Sequence, residues 1–367
     1  MLCQSRISNT LSSPQKMTLI ITSSFKNSPD KSILPGLPDD VAKYCLAIVP
    51  RWHFPTMGRV SKRWRDYIKS IEFITVRKLA GLLEEWLFML ITDSILNESR
   101  WEVMDSKGKQ RQTIPPAPYP AKSGFGVAVL NGKLLVLGGS ALIDGNAAVL
   151  ANVYQYDCYL NSWSELRRMN VGRYHFACAE VGGKVYVAGG YGESEKCLSS
   201  VEVYDPDTAT WRVIESMRRP RWGCFAFGIW GKLYVMGGRS SFTIGSSKAV
   251  DIYSPDKATW CQINNGRVMV TSYAVLHNKL FCLEWKNERH LSIFNPRENT
   301  WSNVSIPVTG STRVGFRMGI VDGKLLLFSM DEETARGALF YDPTANWWIT
   351  SHIQPPGHCK MCVTVMV

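Results

Sequence analysis

The carboxyl-terminal residues His358, Cys359 and Cys362 are of the types that bind metal ions or exchange disulfides. Alternating apolar residues predict a strand over residues 359–367, where side chains three apart point to opposite faces and chelate one ion poorly. No second cysteine pair at zinc spacing is present. The six histidines are scattered, whereas a copper site needs clustered ligands. We therefore expect no metal at these residues.

Motifs for catalysis or cofactor binding are also missing from the sequence. There is no G-x-S-x-G nucleophile elbow, no phosphate-binding loop and no H-E-x-x-H motif. Gly124 and Gly126 lack the third glycine and the helix of a dinucleotide site. We expect a protein without catalytic residues and without a cofactor.

A second kind of chemistry, recognition by charge and aromatic rings, is suggested by residues at one recurring position. A basic residue stands eleven positions before a recurring lysine in four places, and an aromatic residue follows two of them. Focused positive charge attracts acidic loops or anions, and arginine beside aromatic rings makes strong binding contacts. The predicted substrate-binding rim is Lys122, Arg173, Tyr174, Arg221, Trp222 and Arg313. The alternative is that these basic side chains make hydrogen bonds between structural units.

An internal repeat supplies the elements that would position this rim. Its lysines stand at 133, 184, 232, 279 and 324, at steps of 51, 48, 47 and 45 residues. In each of the five units an aromatic residue is followed by tryptophan seven residues later, at 156–163, 204–211, 253–260, 294–301 and 341–348. Short apolar runs bounded by glycine and Asx-Pro turns predict four strands per unit, and paired glycines after the second strand permit positive φ. Such units are the blades of a β-propeller, in which we expect the tryptophan to pack between blades.

A sixth, split blade closes the predicted ring. Residues 86–91 and 101–105 are predicted as its second and third strands, with Met104 at the aromatic position and Arg111 at the tryptophan position. The strand predicted at residues 359–367 would supply its missing first strand. The predicted fold is therefore a small all-α module followed by an all-β six-bladed propeller closed by a C-terminal strand.

The helical module lies in residues 33–72. Asp39 and Asp40 after Pro38 are typical of a helix start, because acidic side chains favour the positive end of the helix dipole. A later helix is predicted with Val60, Trp64, Tyr67, Ile68 and Ile71 on one face. Residues 1–85 carry 13 Lys/Arg against 7 Asp/Glu, so a nucleic-acid partner for the basic helix is one alternative. It would show as a steep dependence of binding on salt.

Both regions resemble known families. Residues 37–40 (LPDD), 46–50 and 60–64 (VSKRW) resemble the F-box, and the Gly-Gly, aromatic and Trp pattern resembles the kelch repeat over about three quarters of the chain. An F-box followed by a kelch propeller is similar to the plant F-box/kelch-repeat family. The resemblance implies a substrate-recognition subunit of an SCF-type ubiquitin ligase, in which the F-box binds a Skp-family adaptor and through it a cullin scaffold, while the propeller binds protein substrates. The adaptor-binding residues it implies are Leu37, Pro38, Leu46, Ile48, Pro50, Val60 and Trp64.

The expected organisation is a disordered tail at 1–32, the F-box at 33–72, a linker helix at 73–85 and the propeller at 86–367. The alternative function is a kelch scaffold without a degradation role. We expect no secretory signal, since the apolar run at residues 18–22 is too short, and no membrane helix. The expected location is the cytoplasm or nucleus, with plastid targeting by residues 1–32 as the alternative.

Overall fold

The computed structural model of the chain describes residues 32–93, 98–240, 248–284, 290–307, 315–329, 338–351, 353 and 357–366. The chain divides into two compact units between Leu82 and Leu83. The predicted tail and Arg313 lie outside the described residues.

The first unit is entirely helical in its described part. Its elements are α1 (Asp39–Ala47), a 3-10 turn (Arg51–His53), α2 (Phe54–Val60), α3 (Lys62–Lys69) and α4 (Ile71–Leu79). No described helix has the length and apolar character needed to cross a membrane.

The apolar stripe predicted from Val60 to Ile71 is divided among three helices, so the expectation of one helix was wrong. Ser61 and Ser70 both have extended backbones, and their hydroxyls accept hydrogen bonds from the amides of Trp64 (3.1 Å) and Phe73 (3.2 Å). Serine at an N-cap satisfies amides that the first helical turn leaves unpaired. Each serine therefore ends one helix and begins the next.

The helices pack around a small core with a buried arginine beside it. The apolar side chains are Ala42, Leu46, Ala47, Phe54, Tyr67, Ile68 and Phe73. Arg77 is only 2% exposed, donates to the carbonyl oxygens of Ala47 (2.7 Å) and Val49 (3.3 Å), and lies over the Phe54 ring. The guanidinium thus neutralises carbonyls at the negative end of α1, which fixes α4 against α1.

The second unit contains six four-stranded antiparallel sheets, which we number as blades 1 to 6. Blade 1 begins with β1 (Glu85–Thr92), β2 (Ser99–Asp105) and β3 (Arg111–Thr113). Blade 2 contains β5 (Gly126–Leu130), β6 (Lys133–Leu137), β9 (Val153–Asp157) and β10 (Ser162–Leu166), and a small extra sheet is formed by β4 (Lys122–Ser123), β7 (Ser140–Ile143) and β8 (Asn146–Val149). Blade 3 contains β11 (Ala177–Val181), β12 (Lys184–Ala188), β13 (Val201–Asp205) and β14 (Thr210–Ile214), with a 3-10 turn at Glu193–Glu195.

The remaining blades follow the same order. Blade 4 contains β15 (Trp222–Ile229), β16 (Lys232–Arg239), β17 (Val250–Ser254) and β18 (Thr259–Ile263). Blade 5 contains β19 (Val270–Leu276), β20 (Lys279–Glu284), β21 (His290–Asn295) and β22 (Thr300–Ser305). Blade 6 contains β23 (Phe316–Val321), β24 (Lys324–Ser329), β25 (Ala338–Asp342) and β26 (Trp347–Ser351), and the final strand, β27 (His358–Met366), returns to blade 1.

The ring closes as the sequence predicts. Strand β27 pairs antiparallel with β1, with Trp86 opposite Val365 and Met89 opposite Cys362. The first strands of consecutive blades contact one another in the cycle β5, β11, β15, β19, β23, β27 and back to β5, so they surround a central channel. Met104 lies opposite Arg111, which confirms these two residues as the degenerate version of the aromatic-tryptophan pair.

The paired glycines after the second strand, which we call glycine doublets (138–139, 189–190 and 237–238), lie where neighbouring blades approach closely. Both glycines of each doublet have positive φ, as predicted. A Cβ at Gly138 would lie 2.6 Å from the carbonyl oxygen of Arg173, and one at Gly189 would lie 2.4 Å from that of Arg221. Each of these carbonyls belongs to the next blade, so the missing side chain is what lets the blades meet.

In blades 2 to 5 the repeated tryptophan joins the blade to the linker that enters it. The indole N–H donates to a linker carbonyl oxygen at 2.7 to 2.9 Å in four blades, from Trp163 to Pro115, Trp211 to Arg167, Trp260 to Glu215 and Trp301 to Asn265. A buried indole needs such an acceptor. The repeated tryptophan therefore has a structural role.

Candidate functional site

An exposed apolar stripe runs along α1 of the helical unit. Val41 and Tyr44 of α1 and its C-cap residue Ile48 are spaced at i, i+3 and i+7, and Leu37 lies two residues before the helix. Each of the four is 38% to 49% exposed. Residues at this spacing lie on one face of a helix. The opposite face buries Ala42 and Leu46 in the core. Apolar side chains arranged in this way form a contiguous surface suited to a protein partner.

The seven predicted adaptor-binding residues fall into two groups. Leu37, Pro38, Ile48, Pro50 and Val60 are exposed. Leu46 is 4% exposed and belongs to the core. Trp64 is half-buried, and its indole N–H donates to the carbonyl oxygen of Ile33 at 3.1 Å, which ties the segment before α1 to α3. The structure thus gives Leu46 and Trp64 packing roles, while the exposed five remain predicted contacts.

The propeller has two faces that differ in their connections. Strand alternation places the linkers between blades and the connections between second and third strands on one face, which we call the loop face. The tight turns within strand pairs lie on the other, which we call the turn face. The five rim residues that the structure describes, Lys122, Arg173, Tyr174, Arg221 and Trp222, belong to the loop face.

Arg173 of that rim is fully buried. Its guanidinium is 2.8 Å from the Glu202 carboxylate, which is also inaccessible, and it donates to the carbonyl oxygens of Gly189 (2.9 Å) and Ser200 (3.1 Å). Its backbone carbonyl accepts from Gly139 of the preceding blade. Arg173 therefore joins blade 2 to blade 3.

Arg221 repeats this arrangement one blade later. It is 2% exposed, its guanidinium lies 2.9 Å from the carboxylate of Asp251, and its backbone carbonyl accepts from Gly190. A buried guanidinium with its donors directed at carboxylate and carbonyl oxygens cannot contact a partner. The prediction that Arg173 and Arg221 form a substrate-binding rim was wrong, and their hydrogen bonds hold the fold together instead.

Lys122 occupies the same repeat position in blade 2 but has no carboxylate. Its Nζ lies 4.3 Å from the ring centroid of Tyr119, 5.5 Å from that of Tyr154 and 5.7 Å from that of Phe125. Burial lowers the pKa of Lys122 to about 8. Aromatic faces attract cations, so three rings replace the acid of the other blades. Lys122 is enclosed and is likewise a poor contact for a partner.

Tyr174 and Trp222, the aromatic residues of the predicted rim, belong to a row of rings on the loop face. Tyr174 and Tyr191 have centroids 5.4 Å apart, Tyr191 stacks on Trp222 at 4.9 Å, and the Arg239 guanidinium lies 5.8 Å from the Trp222 ring. The three rings are half-buried and Arg239 is exposed. We call these four residues the aromatic row.

His175 extends the row towards the channel in a left-handed conformation. Its φ is 52°, and the corresponding residues of blades 2 and 4 are Gly124 and Gly223. Its amide donates to Gly124 and its carbonyl accepts from Gly223, each at 2.7 Å, so the backbone links three blades. Burial lowers the pKa of His175, which favours the neutral imidazole.

Tyrosine hydroxyls and surrounding charge give the aromatic row polar contacts. Burial raises the pKa of Tyr174 and of Tyr191, and the Glu195 carboxylate adds to both shifts, so both hydroxyls remain donors at neutral pH. The linkers entering blades 3 and 4 each carry an exposed arginine pair: Arg167, Arg168, Arg218 and Arg219. The loop face therefore combines a flat aromatic surface with a basic periphery.

Comparison with known proteins finds a family match in each of the two units. Residues 34–75 match the F-box domain, and residues 124–329 match the KLHDC2/KLHL20/DRC7 Kelch-repeats domain. The F-box/kelch-repeat protein At1g67480 of Arabidopsis thaliana is 54% identical over 343 residues, covering 93% of this chain and 91% of the relative. The chain belongs to the F-box/kelch-repeat family. A second Arabidopsis thaliana relative, At1g27420, is 38% identical over 340 residues, covering 89% of this chain and 95% of the relative.

The F-box and the kelch propeller contain candidate site residues that the sequence analysis did not assign. In the F-box these are the exposed residues Val41 and Tyr44. Their helical spacing with Ile48 could have identified them from the sequence. In the kelch propeller they are Tyr191 and Arg239, each of which directly follows a glycine doublet. Within the described residues of both domains, no group of three or more His, Cys, Asp or Glu side chains is arranged to hold a metal ion.

Proposed function

We propose that this chain is the substrate-recognition subunit of an SCF-type ubiquitin ligase. Its F-box binds a Skp-family adaptor and through it a cullin scaffold, and its kelch propeller holds the target protein on the loop face. It has no catalytic role, since ubiquitin transfer is carried out by bound partners. Holding the target beside the ligase raises the effective concentration of its lysines.

The exposed stripe of Leu37, Val41, Tyr44 and Ile48 is the observation that carries the adaptor half of this proposal. These four apolar side chains, three on one face of α1 and Leu37 just before it, are left in water although the module has a core of its own. Burying them against a partner removes that apolar surface from water at about 25 cal/mol per Å². The same helix lies within the segment that matches the F-box domain.

The test is co-purification of the full chain with a purified Skp-family adaptor. Ile48→Glu places a charge at the carboxyl-terminal end of the stripe, on its most exposed member, without touching the core, so it should abolish adaptor binding. Val213→Glu is the matched control, because Val213 is an equally exposed apolar residue on the propeller, 55% against 49%. Retained adaptor binding by a folded Ile48→Glu variant would contradict the proposal.

The aromatic row supports target binding on the loop face. Tyrosine, tryptophan and arginine are the residues that most often dominate binding energy, and here Tyr191, Trp222 and Arg239 are in contact with one another. The exposed arginine pairs of the linkers favour an acidic partner. We infer that the target presents an acidic segment with an aromatic or apolar side chain that packs on the row.

Target binding is tested with the full chain carrying Ile48→Glu, so that a captured target is not passed to the ligase. Trp222→Ala and Arg239→Ala should each weaken target capture by at least about tenfold, the loss typical of a central contact. Trp347→Ala is the control, since Trp347 is 64% exposed on the outer strand of blade 6. Equal capture by all three variants would place the target elsewhere. A captured partner that is neither ubiquitinated nor accumulated on deletion would favour a scaffold.

A further inference from the structure

A repeated ion pair neutralises the turn face of three blades. The first residue of the second strand is lysine in five blades, and in three of them the third strand ends in aspartate. The Nζ–Oδ2 distances are 3.3 Å for Lys133–Asp157, 2.6 Å for Lys184–Asp205 and 3.7 Å for Lys324–Asp342. The hydrogen bond from Lys184 holds the pKa of Asp205 below its usual value.

Blades 4 and 5 keep the lysine and lose the acid. Ser254 and Asn295 end their third strands, at the position of the aspartates, while Lys232 and Lys279 remain and are exposed. The strand pairing is the same as in the other blades, with Leu233 opposite Tyr253 as Val185 is opposite Tyr204. Among the described residues, no carboxylate forms an ion pair with either lysine. Two neighbouring blades therefore present positive charge that the repeat normally neutralises.

An exposed tryptophan, Trp230, lies in the turn between the first two strands of blade 4. Trp230 adopts φ 50°, a left-handed conformation that costs a bulky side chain free energy, at a turn position filled by Asn131, Gly182, His277 and Asp322 in other blades. It is 46% exposed, and the Arg297 guanidinium of blade 5 lies 5.5 Å from its ring. A strained and exposed aromatic residue in a site where glycine suffices indicates a function for its ring.

The blades on either side of blades 4 and 5 are more acidic on the turn face. Their turns carry four basic residues, Lys232, Lys257, Lys279 and Arg297, against the two acids Asp256 and Glu298. In blade 3 the turn lysine is accompanied by Glu180, Asp205 and Asp207, and in blade 6 by Asp322 and Asp342. A positive sector between two acidic ones orients a charged partner as well as attracting it.

We propose that Trp230, Lys232, Lys279 and Arg297 form a second protein-binding surface, on the turn face, which takes a carboxylate-rich segment of a partner protein. The two lysines and the arginine pair with its acidic side chains, and the Trp230 ring packs against an apolar side chain among them. This surface lies on the face opposite the aromatic row, so the inference does not depend on where the target binds.

Restoring the ion pairs tests the proposal without altering the lysines. The probe is a synthetic peptide of glutamate and aspartate with a central leucine and a benzophenone group, photo-crosslinked to the full chain and mapped by mass spectrometry. The variant is Ser254→Asp with Asn295→Asp, which recreates pairs already present in blades 2, 3 and 6 and so preserves the fold. Crosslinks to residues 230–232 and 277–279 should fall at least about tenfold, while crosslinks on the loop face stay unchanged, which separates this result from a failure of the proposed function.

A second variant tests the aromatic contribution. Trp230→Gly introduces the residue that blade 3 has at this turn, Gly182, and relieves the left-handed strain, so the melting temperature should stay equal or rise while turn-face crosslinking falls about fivefold or more. Unchanged crosslinking in both variants, or equal labelling of the turns of blades 3 and 6, would overturn the proposal. So would an oligonucleotide that binds this surface more tightly than the peptide and loses its binding in the same variants, because the partner would then be nucleic acid.

Discussion

Replacing Arg173 by methionine should destabilise the propeller because it leaves a buried carboxylate without its cation. Both Arg173 and Glu202 have 0% exposed side chains, and their closest N–O distance is 2.8 Å. Methionine replaces the unbranched stem of the arginine but not its guanidinium, so the change removes the charge and the hydrogen bonds without introducing a clash. The Glu202 carboxylate keeps hydrogen bonds from the amides of Asn170 (2.7 Å) and Val171 (3.1 Å).

The expected magnitude follows from these contacts. Breaking a buried ion pair by removing one partner costs about 3–5 kcal/mol, and the remaining amide donors place this case near the lower value. For a domain of this size, roughly 2–4 °C per kcal/mol gives a fall of roughly 6–12 °C in the melting temperature of the propeller. Arg173→Met combined with Glu202→Gln removes both charges and should recover most of the loss, because no ion is then left buried.

The assay is differential scanning calorimetry of the full chain, in which the two units are expected to give separate transitions. Arg239→Met is the control, because Arg239 is an exposed arginine on the same face, and surface substitutions change stability by only about 0.5 kcal/mol. A wild-type melting temperature for Arg173→Met would refute the reasoning, and so would a double variant no more stable than the single one.

Two further predictions concern the close contact between blades and the caged lysine. Gly189→Ala should lower the free energy of unfolding by about 2–5 kcal/mol, since it adds a clash with the carbonyl oxygen of Arg221 to the penalty of a left-handed backbone. Gly182 also has positive φ but has open space around it, so Gly182→Ala should lower it by only about 1–2 kcal/mol. Equal losses of stability in urea titrations of the two variants would count against the close contact. The pKa of Lys122 is lowered from 10.5 to about 8 in the folded state, so the unfolded chain binds more protons between these values and stability should rise with pH through that window, by at most ~3 kcal/mol. Lys122→Met should remove this rise. If the urea midpoints of the variant changed with pH as those of the wild-type chain do, the three rings around Lys122 would not be desolvating its ammonium group.

The predicted substrate-binding rim shows that residue spacing can align equivalent positions of a repeat but cannot predict their burial. Spacing correctly aligned Lys122, Arg173 and Arg221 as one repeat position, but it gave no measure of their burial. The partners Glu202 and Asp251 each stand two residues before the repeated tyrosine of their own blades, and Tyr154 holds that position in blade 2. This second alignment was available in the sequence, but only the pairing of strands shows that the two positions meet.

The helical module gives a similar contrast. Val41, Tyr44 and Ile48 have helical spacing, and the same spacing predicted one helix face from Val60 to Ile71. The first face is real, whereas the second is divided by Ser61 and Ser70, whose hydroxyls cap new helices. Apolar periodicity alone does not predict that a serine within the pattern ends a helix, because capping depends on the backbone conformation of that serine.

The sequence by itself determined the number of blades, the closure of the ring by the last strand and the presence of a separate helical module. These features follow from the regular spacing of the repeat and from the one strand that its first unit lacks, both of which can be read from the order of residues. Only the tertiary structure decided which basic residues are buried as ion pairs and which are exposed, as for Arg173 and Arg239. The physical reason is that burial depends on neighbours supplied by other strands and other blades, often tens of residues away along the chain.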